Sequence, residues 1–536
     1  MGGGIIGLLI LGGITVGVIA AVRRVMKKDG AESQTGDVIP YLLLALAVGT
    51  AAFALAELAE AAFPGDAFIF DTTTQVAASL AALVVAGPIA FVLWKRQSRR
   101  RVTNTSAAGW IVYLAAIEAV FMTALAIASF GVLNSLLGDG SSASWANVVV
   151  FAGVVVFHEF ASRQTPPTGE GSDLHRVLGS AIGLVMTSIG TAGVLYWLLD
   201  LLYGSLTPTS SNAEPAIWIS FLLVGVPIWG VRWWSSWPSE PDISRKTWLV
   251  VASVAGLVTA VGTGTSILIM ILLYLFSDTD SAATHFAVLP GIVATASVAA
   301  LVWAHHKGRL GIERNAPVQI YGYTMAAIGL SAAIGGATGL ATLAFAPADF
   351  INEPDAFVIS VATILVVGLL VWGWFWTRAQ AVPRELEAGT IPRRLYLVGF
   401  GVITGLVAAG ALIGTLVVLF QMLIGGEPSD SLVPQASLFI FSGLATWHLL
   451  RNNAIDSALV ESPDVVTPFD VTLICSHPGT IATAFPKEAR LKVIYRADTE
   501  GVVTEGMEAA IVEEVGNTSS LVWVEGSGYR IARARG

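Results

Sequence analysis

Runs of twenty or more apolar residues recur along most of this chain, and no other feature limits its fold so sharply. An α-helix rises about 1.5 Å per residue, so about 20 apolar residues cross the ~30 Å hydrocarbon core of a bilayer. Thirteen such runs can be read in the 536 residues. Twelve come in pairs: 39–63 with 74–94, 107–137 with 144–161, 175–203 with 216–236, 246–276 with 283–305, 319–346 with 355–377, and 392–424 with 433–451. Charged residues make up 12 % of the chain and hydrophobic ones 54 %. A soluble protein carries about 25 % charged residues, twice that density. A soluble enzyme, a nucleic-acid binder, a disordered chain and a disulfide scaffold are therefore disfavoured. The expected class is an all-α polytopic membrane protein with a small C-terminal α+β domain.

The remaining apolar run, 3–22, is followed by Arg23, Arg24, Lys27 and Lys28. A secretory signal has the reverse polarity, so residues 1–28 read as an uncleaved anchor with its N-terminus outside. The loops within pairs hold no Lys or Arg. They hold acids instead, among them Asp66, Asp71, Glu214, Asp349 and Asp430. Of the 29 Lys and Arg, 22 lie at the joints between pairs or their flanks, and the other seven follow residue 460. The positive-inside rule then places every hairpin tip outside and every joint in the cytoplasm. Thirteen spans from an outside N-terminus also put the C-terminus in the cytoplasm of a prokaryotic-type plasma membrane. Tryptophans such as Trp94, Trp233, Trp303, Trp372 and Trp447 fall near the inner span ends, where an interfacial aromatic belt is expected.

The pairs repeat over 39–453. The second helix of each carries a small residue and then an aromatic four positions on: Gly87 with Phe91, Gly153 with Phe157, Gly225 with Trp229, Ala299 with Trp303, Gly368 with Trp372, and Gly443 with Trp447. A charged or His residue follows closely, as in Lys95, His158, Arg232, His305, Arg378 and His448. The first helix is longer and has a polar position near its outer end: Glu60, Asn134, Asp200, Tyr274, Thr342 and Gln421. This unit resembles the DUF5671 family of prokaryotic membrane domains. The likeness is clearest in Arg393-Arg394-Leu395-Tyr396-Leu397-Val398-Gly399 and in Gly368-Leu369-Leu370-Val371-Trp372. It implies a membrane domain and supplies no active residue. Gly179 with Gly183, Gly401 with Gly405, and Gly410 with Gly414 form small faces suited to close helix packing. Gly262 and Gly264 lie mid-span and read as packing positions too.

Ionisable residues inside a membrane are costly and are candidates for function. Glu118 lies about 16 Å into its span by helix rise, a depth that suits a proton or cation site. The plainer reading is a carboxyl hydrogen-bonded to a neighbouring helix. Glu57, Glu60 and Asp200 lie at outer span ends, where they line an anionic vestibule or are simply solvated. His158, the pair His305-His306, and His448 read as interfacial histidines. His residues at i and i+1 point about 100° apart on a helix and suit chelation poorly. No Walker loop, His-Glu-x-x-His, Gly-x-Ser-x-Gly or dinucleotide fingerprint occurs, and no cofactor is expected.

After Asn453 the composition turns polar, and 461–536 reads as a cytoplasmic domain. Strands are predicted at 469–475, 491–495, 521–524 and 529–532. Between the second and third, a helix is capped by Thr504, carries Glu505 and Glu508 in its first turn, and ends at Gly516. Ser476 and His477 sit in a loop that offers a ligand position or is plain loop structure. Cys475, the one cysteine, is expected to be buried and inert. Two functions are open at this stage. One is transport or permeation of a cation, proton or small solute. The other is a membrane scaffold or sensor whose tail binds a cytoplasmic protein. Either works in a lipid bilayer, without nucleic acid.

Overall fold

A computed structural model describes residues 35–62, 72–103, 108–138, 145–168, 171–203, 215–234, 242–277, 281–345, 354–425, 431–461, 469–476, 481–485, 489–495, 503, 505–516, 519–525 and 528–533. The expected anchor at 3–22 lies outside them, as do most of the acidic tips, Thr504 and His477. Eleven described helices are long and apolar enough to cross a membrane. A backbone in hydrocarbon has no water to bond, so a helix, which satisfies its own amides, is what such runs must form.

The helices are α1 (Thr35–Ala62), α2 (Thr72–Thr103), α3 (Ala108–Leu137), α4 (Trp145–Gln164), α5 (Leu174–Tyr203), α6 (Pro215–Trp233) and α7 (Ile243–Phe276). A short turn, α8 (Ala282–His285), precedes α9 (Leu289–Leu310), α10 (Ala316–Phe345) and α11 (Pro354–Gln380). Another short turn, α12 (Arg384–Glu387), leads to α13 (Ile391–Leu423) and α14 (Leu432–Glu461). The twelfth paired run does form a helix. With Gln435, Ser437, Ser442 and His448 along it, however, α14 is not among the eleven apolar enough to span.

Local signals set several helix ends. The Asp242 carboxylate accepts from the Arg245 amide at 3.0 Å and caps α7. Gly311, at φ +82°, follows the end of α9, a conformation that costs glycine little. Two π-helical turns interrupt the α pattern, Glu118–Met122 within α3 and Leu395–Phe400 within α13.

By internal contacts the chain divides into two units, one of 1–381 with 399–446 and one of 382–398 with 447–536. In the first, the expected pairs are real hairpins: α1 packs on α2, α3 on α4, α5 on α6, α7 on α9, and α10 on α11. In the sixth, Thr446 Oγ1 donates to Thr404 Oγ1 at 2.9 Å. Hairpins one to five stack in chain order. Helix α1 touches α3 and α4, α3 touches α5 and α6, α5 touches α7 and α9, and α7 touches α10 and α11.

Glycines let the two helices of a hairpin meet backbone to backbone. A Cβ on Gly183 would lie 2.4 Å from the Trp229 amide nitrogen, one on Gly256 2.8 Å from that of Trp303, and one on Gly329 2.5 Å from that of Trp372. The repeated aromatic of the second helix thus faces a repeated glycine of the first. Gly225 and Gly368 return the contact, against Thr187 and Ala333. Among the expected packing glycines, Gly179, Gly183, Gly405 and Gly414 do meet neighbours. Gly262, Gly264 and Gly410 meet nothing within 4 Å, which corrects their reading as packing positions.

The aromatic belt is corrected in part. Trp234, Trp374 and Trp447 are exposed, but Trp110, Trp233 and Trp248 are buried between helices. These buried indoles pack with residues of neighbouring hairpins.

The second unit holds a sheet of β1 (Phe469–Cys475), β2 (Ala489–Tyr495), β3 (Ser520–Glu525) and β4 (Gly528–Arg533), in the order β2-β1-β3-β4. All four expected strands form. Strands β2, β1 and β3 are parallel, and β4 pairs antiparallel to β3. Parallel neighbours need crossovers, which carry α15 (Ile481–Ala484) and α16 (Glu505–Val515). Gly516, at φ +55°, ends α16 as expected. Val471, Leu473, Cys475, Val522 and Val524 form the core with Ile481, Met507, Ile511 and Val515.

Candidate functional site

Glu118 opens the π turn of α3 and is 6 % exposed. Its partner is Arg232, in the last turn of α6 and one hairpin on. Arg232 Nη2 donates to Glu118 Oε2 at 3.0 Å, and Nε lies 2.8 Å from Oε1. Arg232 Nη1 donates to Glu159 of α4. Arg163, one turn further along α4, donates to Glu159 Oε1 at 2.9 Å. Arg176, near the start of α5, adds positive charge within reach of both carboxylates. Two acids and two guanidiniums, those of Arg232 and Arg163, thus meet where hairpins two and three join.

Gly179 of α5 makes the pair possible. A Cβ there would stand 2.2 Å from Glu118 Oε1 and 3.1 Å from Arg232 Cγ. Arg232, Glu159 and Arg176 all lie within about two turns of the joint ends of their helices. Glu118 is ten residues along α3. A buried charge must be paired or shed, and here the Arg232 guanidinium pairs it, with one hydrogen bond to Oε2.

Similar polar contacts tie the next hairpins together. Arg245 of α7 is buried, and its Nε donates to Asp173 Oδ2 at 2.8 Å. The Asp173 amide donates to Asp242 Oδ2 at 3.1 Å. Trp233 Nε1 donates to His305 Nε2 at 3.0 Å, and Trp303 Nε1 donates to the Tyr321 hydroxyl at 2.9 Å. Within the second unit, Arg393 of α13 is fully buried. Its Nε lies 2.5 Å from Asp456 Oδ2 of α14, its Nη2 lies 3.1 Å from Oδ1, and Glu387 stands 3.9 Å away. The Arg393 of the sequence motif is therefore a buried ion-pair residue.

The other expected candidates do not join Glu118. Glu57 is exposed and accepts from Ser79. Glu60 is exposed and accepts from Asn147 Nδ2 at 3.1 Å. Asp200 is half-buried near the end of α5. All three lie at the tip ends of their helices, whereas the partners of Glu118 lie at joint ends. The repeated polar positions differ from one another too. Thr342 bonds its own helix at Thr338, and the Tyr274 ring packs on His285 and Phe286. Ser476 follows β1, and His477 lies outside the described residues.

Of the four histidines expected at the interface, His305 and His448 are half-buried. His158 and His306 are buried. The His158 Nδ1 bonds the Val154 carbonyl at 2.8 Å, and its Nε2 lies 2.6 Å from the Tyr113 hydroxyl. A carbonyl only accepts, so Nδ1 carries the proton and Nε2 accepts from tyrosine. Among the described residues, no group of three or more His, Cys, Asp or Glu is placed to hold a metal.

The arginine that holds Glu118 lies 114 residues away in sequence. The signal for it was present, since Arg232 is the charged residue after Trp229 in the repeat. The spacing of Gly183, Gly256 and Gly329, 73 residues each, is a second sign of the repeat that the aromatic series alone did not bring out. No curated protein and no solved structure matches the chain. The family model of DUF5671, a domain of unknown function, matches residues 173–276 and again 319–444. The matches begin at the third hairpin, later than the resemblance over 39–453 implied. They contain Arg232, Arg245, Arg393 and two of the three glycine–tryptophan contacts in full, and two separate matches to one family model are consistent with a repeated domain.

Proposed function

We propose that this integral membrane protein is a scaffold or sensor, a bundle of hairpins that carries a C-terminal domain for a cytoplasmic protein partner. The observation that supports this reading is the pairing of Glu118 with Arg232 across two hairpins, behind Gly179. Glu118, buried between helices, is neutralised by a neighbouring hairpin rather than grouped with Glu60 or Asp200. Arg245 with Asp173 repeats the arrangement at the next joint. A buried ion pair is weak evidence of added stability, and we read these as fixing how the hairpins fit together. The charge asymmetry supports an orientation with the N-terminus outside and residues 461–536 in the cytoplasm, and the proposed location is a prokaryotic-type plasma membrane. The test compares proteins co-purifying with the full chain and with a chain lacking 461–536. A partner lost with the tail is expected, and an unchanged set of proteins would overturn the reading.

Permeation of a cation, proton or small solute is the second reading, and one feature favours it. Glu118 opens a π turn, and two carboxylates share one guanidinium. Such turns are frequent at functional sites. Ion flux into proteoliposomes separates the two readings. Permeation requires a flux that Glu118→Gln abolishes, whereas a scaffold gives the leak of empty liposomes with either chain.

A further inference from the structure

The described helices that pack in the core of the C-terminal sheet lie on one side of it. Helices α15 and α16 cover the face that carries Val471, Leu473, Val522 and Val524. Among the described residues no helix covers the other face. Mostly parallel sheets normally bury both faces, so a second face left open is unusual.

Strand register defines what that face carries. Ile474 pairs with Ile494 on one side and Trp523 on the other, and Trp523 pairs with Arg530. In the next row Thr472 lies between Lys492 and Leu521, and Leu521 pairs with Ala532. Arg490 pairs with Asp470 in the third. Ile494, Leu521 and Trp523 are 41 %, 39 % and 38 % exposed. The face therefore has an apolar, tryptophan-bearing centre. Arg490 and Lys492 flank it on one edge strand and Arg530 on the other, with Asp470 opposite Arg490 and Glu525 two positions beyond Trp523 on the same strand.

We infer that this open sheet face rests on the anionic lipid surface of the membrane in which the chain is embedded. Two observations select lipid over another occupant. The first is charge: three cationic side chains against two acids surround an apolar and aromatic centre, a cationic excess that fits an acyl boundary under anionic headgroups. The second is reach: seven residues, 462–468, join α14 to β1, a tether of at most about 28 Å. A weak lipid surface becomes effective when a tether keeps it beside the bilayer, because one signal adds to the other. The inference goes beyond the scaffold reading and does not depend on it.

The test uses the full chain in nanodiscs, with Leu521→Cys carrying a fluorophore in a Cys475→Ala background. Access of a water-soluble quencher is measured in phosphatidylcholine alone and in an equal mixture with phosphatidylglycerol. Access should fall about fivefold or more in the anionic discs and return at high salt. Arg490→Gln, Lys492→Gln and Arg530→Gln together should restore it. Folding of that triple variant is checked separately, with Leu521 and Cys475 in place, by the failure of the buried Cys475 thiol to react. Equal access in both lipids would overturn the inference. Equal protection in both, unaffected by salt, would overturn it as well, since the cover would then be protein.

Discussion

Arg232 of the third hairpin sets its guanidinium on the carboxylate of Glu118 in the second, with Nη2 3.0 Å from Oε2. The pair is asymmetric, because Arg232 also holds Glu159 whereas Glu118 depends on Arg232. Arg232→Ala therefore leaves a buried carboxylate without its counter-charge and should destabilise the bundle by about 3–5 kcal/mol. Glu118→Gln leaves Arg232 on Glu159 and should lose only about 1.5–3 kcal/mol. Thermal unfolding in detergent gives the order, and a larger loss for Glu118→Gln would contradict it.

Glycine substitutions should separate by what each Cβ meets. Gly329→Ala drives a methyl to within 2.5 Å of the Trp372 amide nitrogen, so the helices of the fifth hairpin must part. Overpacking of that kind costs about 1–3 kcal/mol. Gly262→Ala meets nothing within 4 Å, and it should be neutral or stabilise by up to about 1 kcal/mol through helix propensity. Equal melting shifts for the two variants would remove the backbone contact from the account.

In the second unit, Arg393 and Asp456 are both buried and hydrogen-bond twice. Removing either alone should loosen α13 from α14, by about 3–5 kcal/mol for Asp456→Ala. Limited proteolysis should then cut between 382 and 398 faster than in the parent chain. Unchanged cleavage would mean that the pair is dispensable.

Cys475 lies in the sheet core, and burial pushes its thiol above the ordinary range. The folded domain therefore holds the thiol proton more tightly than the unfolded chain does. Through this group, its stability is unaffected below the unfolded thiol value of about 8.5 and falls as pH rises above it. The native chain should stay unreactive to a thiol reagent at pH 8 and react once in denaturant. Fast native labelling would place Cys475 outside the core.

Much of the architecture is legible in the sequence, because apolar run length and the placement of Lys and Arg are local quantities. The hairpins could be read from them, and alternation gave the four strands of the tail. Gly516 marked the end of α16 because few other residues adopt its backbone angle. What stayed hidden depends on partners distant in sequence. Burial depth suggested that Glu118 was special, but not that Arg232 would reach it, nor that Gly179 would make the space. Trp233 and Trp248 resembled belt residues because an indole at a helix end looks the same whether it meets lipid or another hairpin. The parallel pairing of β1 with β3 also left no mark in either strand, since register is a property of the pair.

The most direct test of the hairpin clamp is a double-mutant cycle on thermal stability, with Glu118→Gln, Arg232→Gln and both together. A pair in direct contact should show a coupling of about 1 kcal/mol or more, the double variant being less damaged than the sum of the two. Additivity within about 0.5 kcal/mol would mean that Glu118 does not depend on Arg232, and the clamp would have to be abandoned.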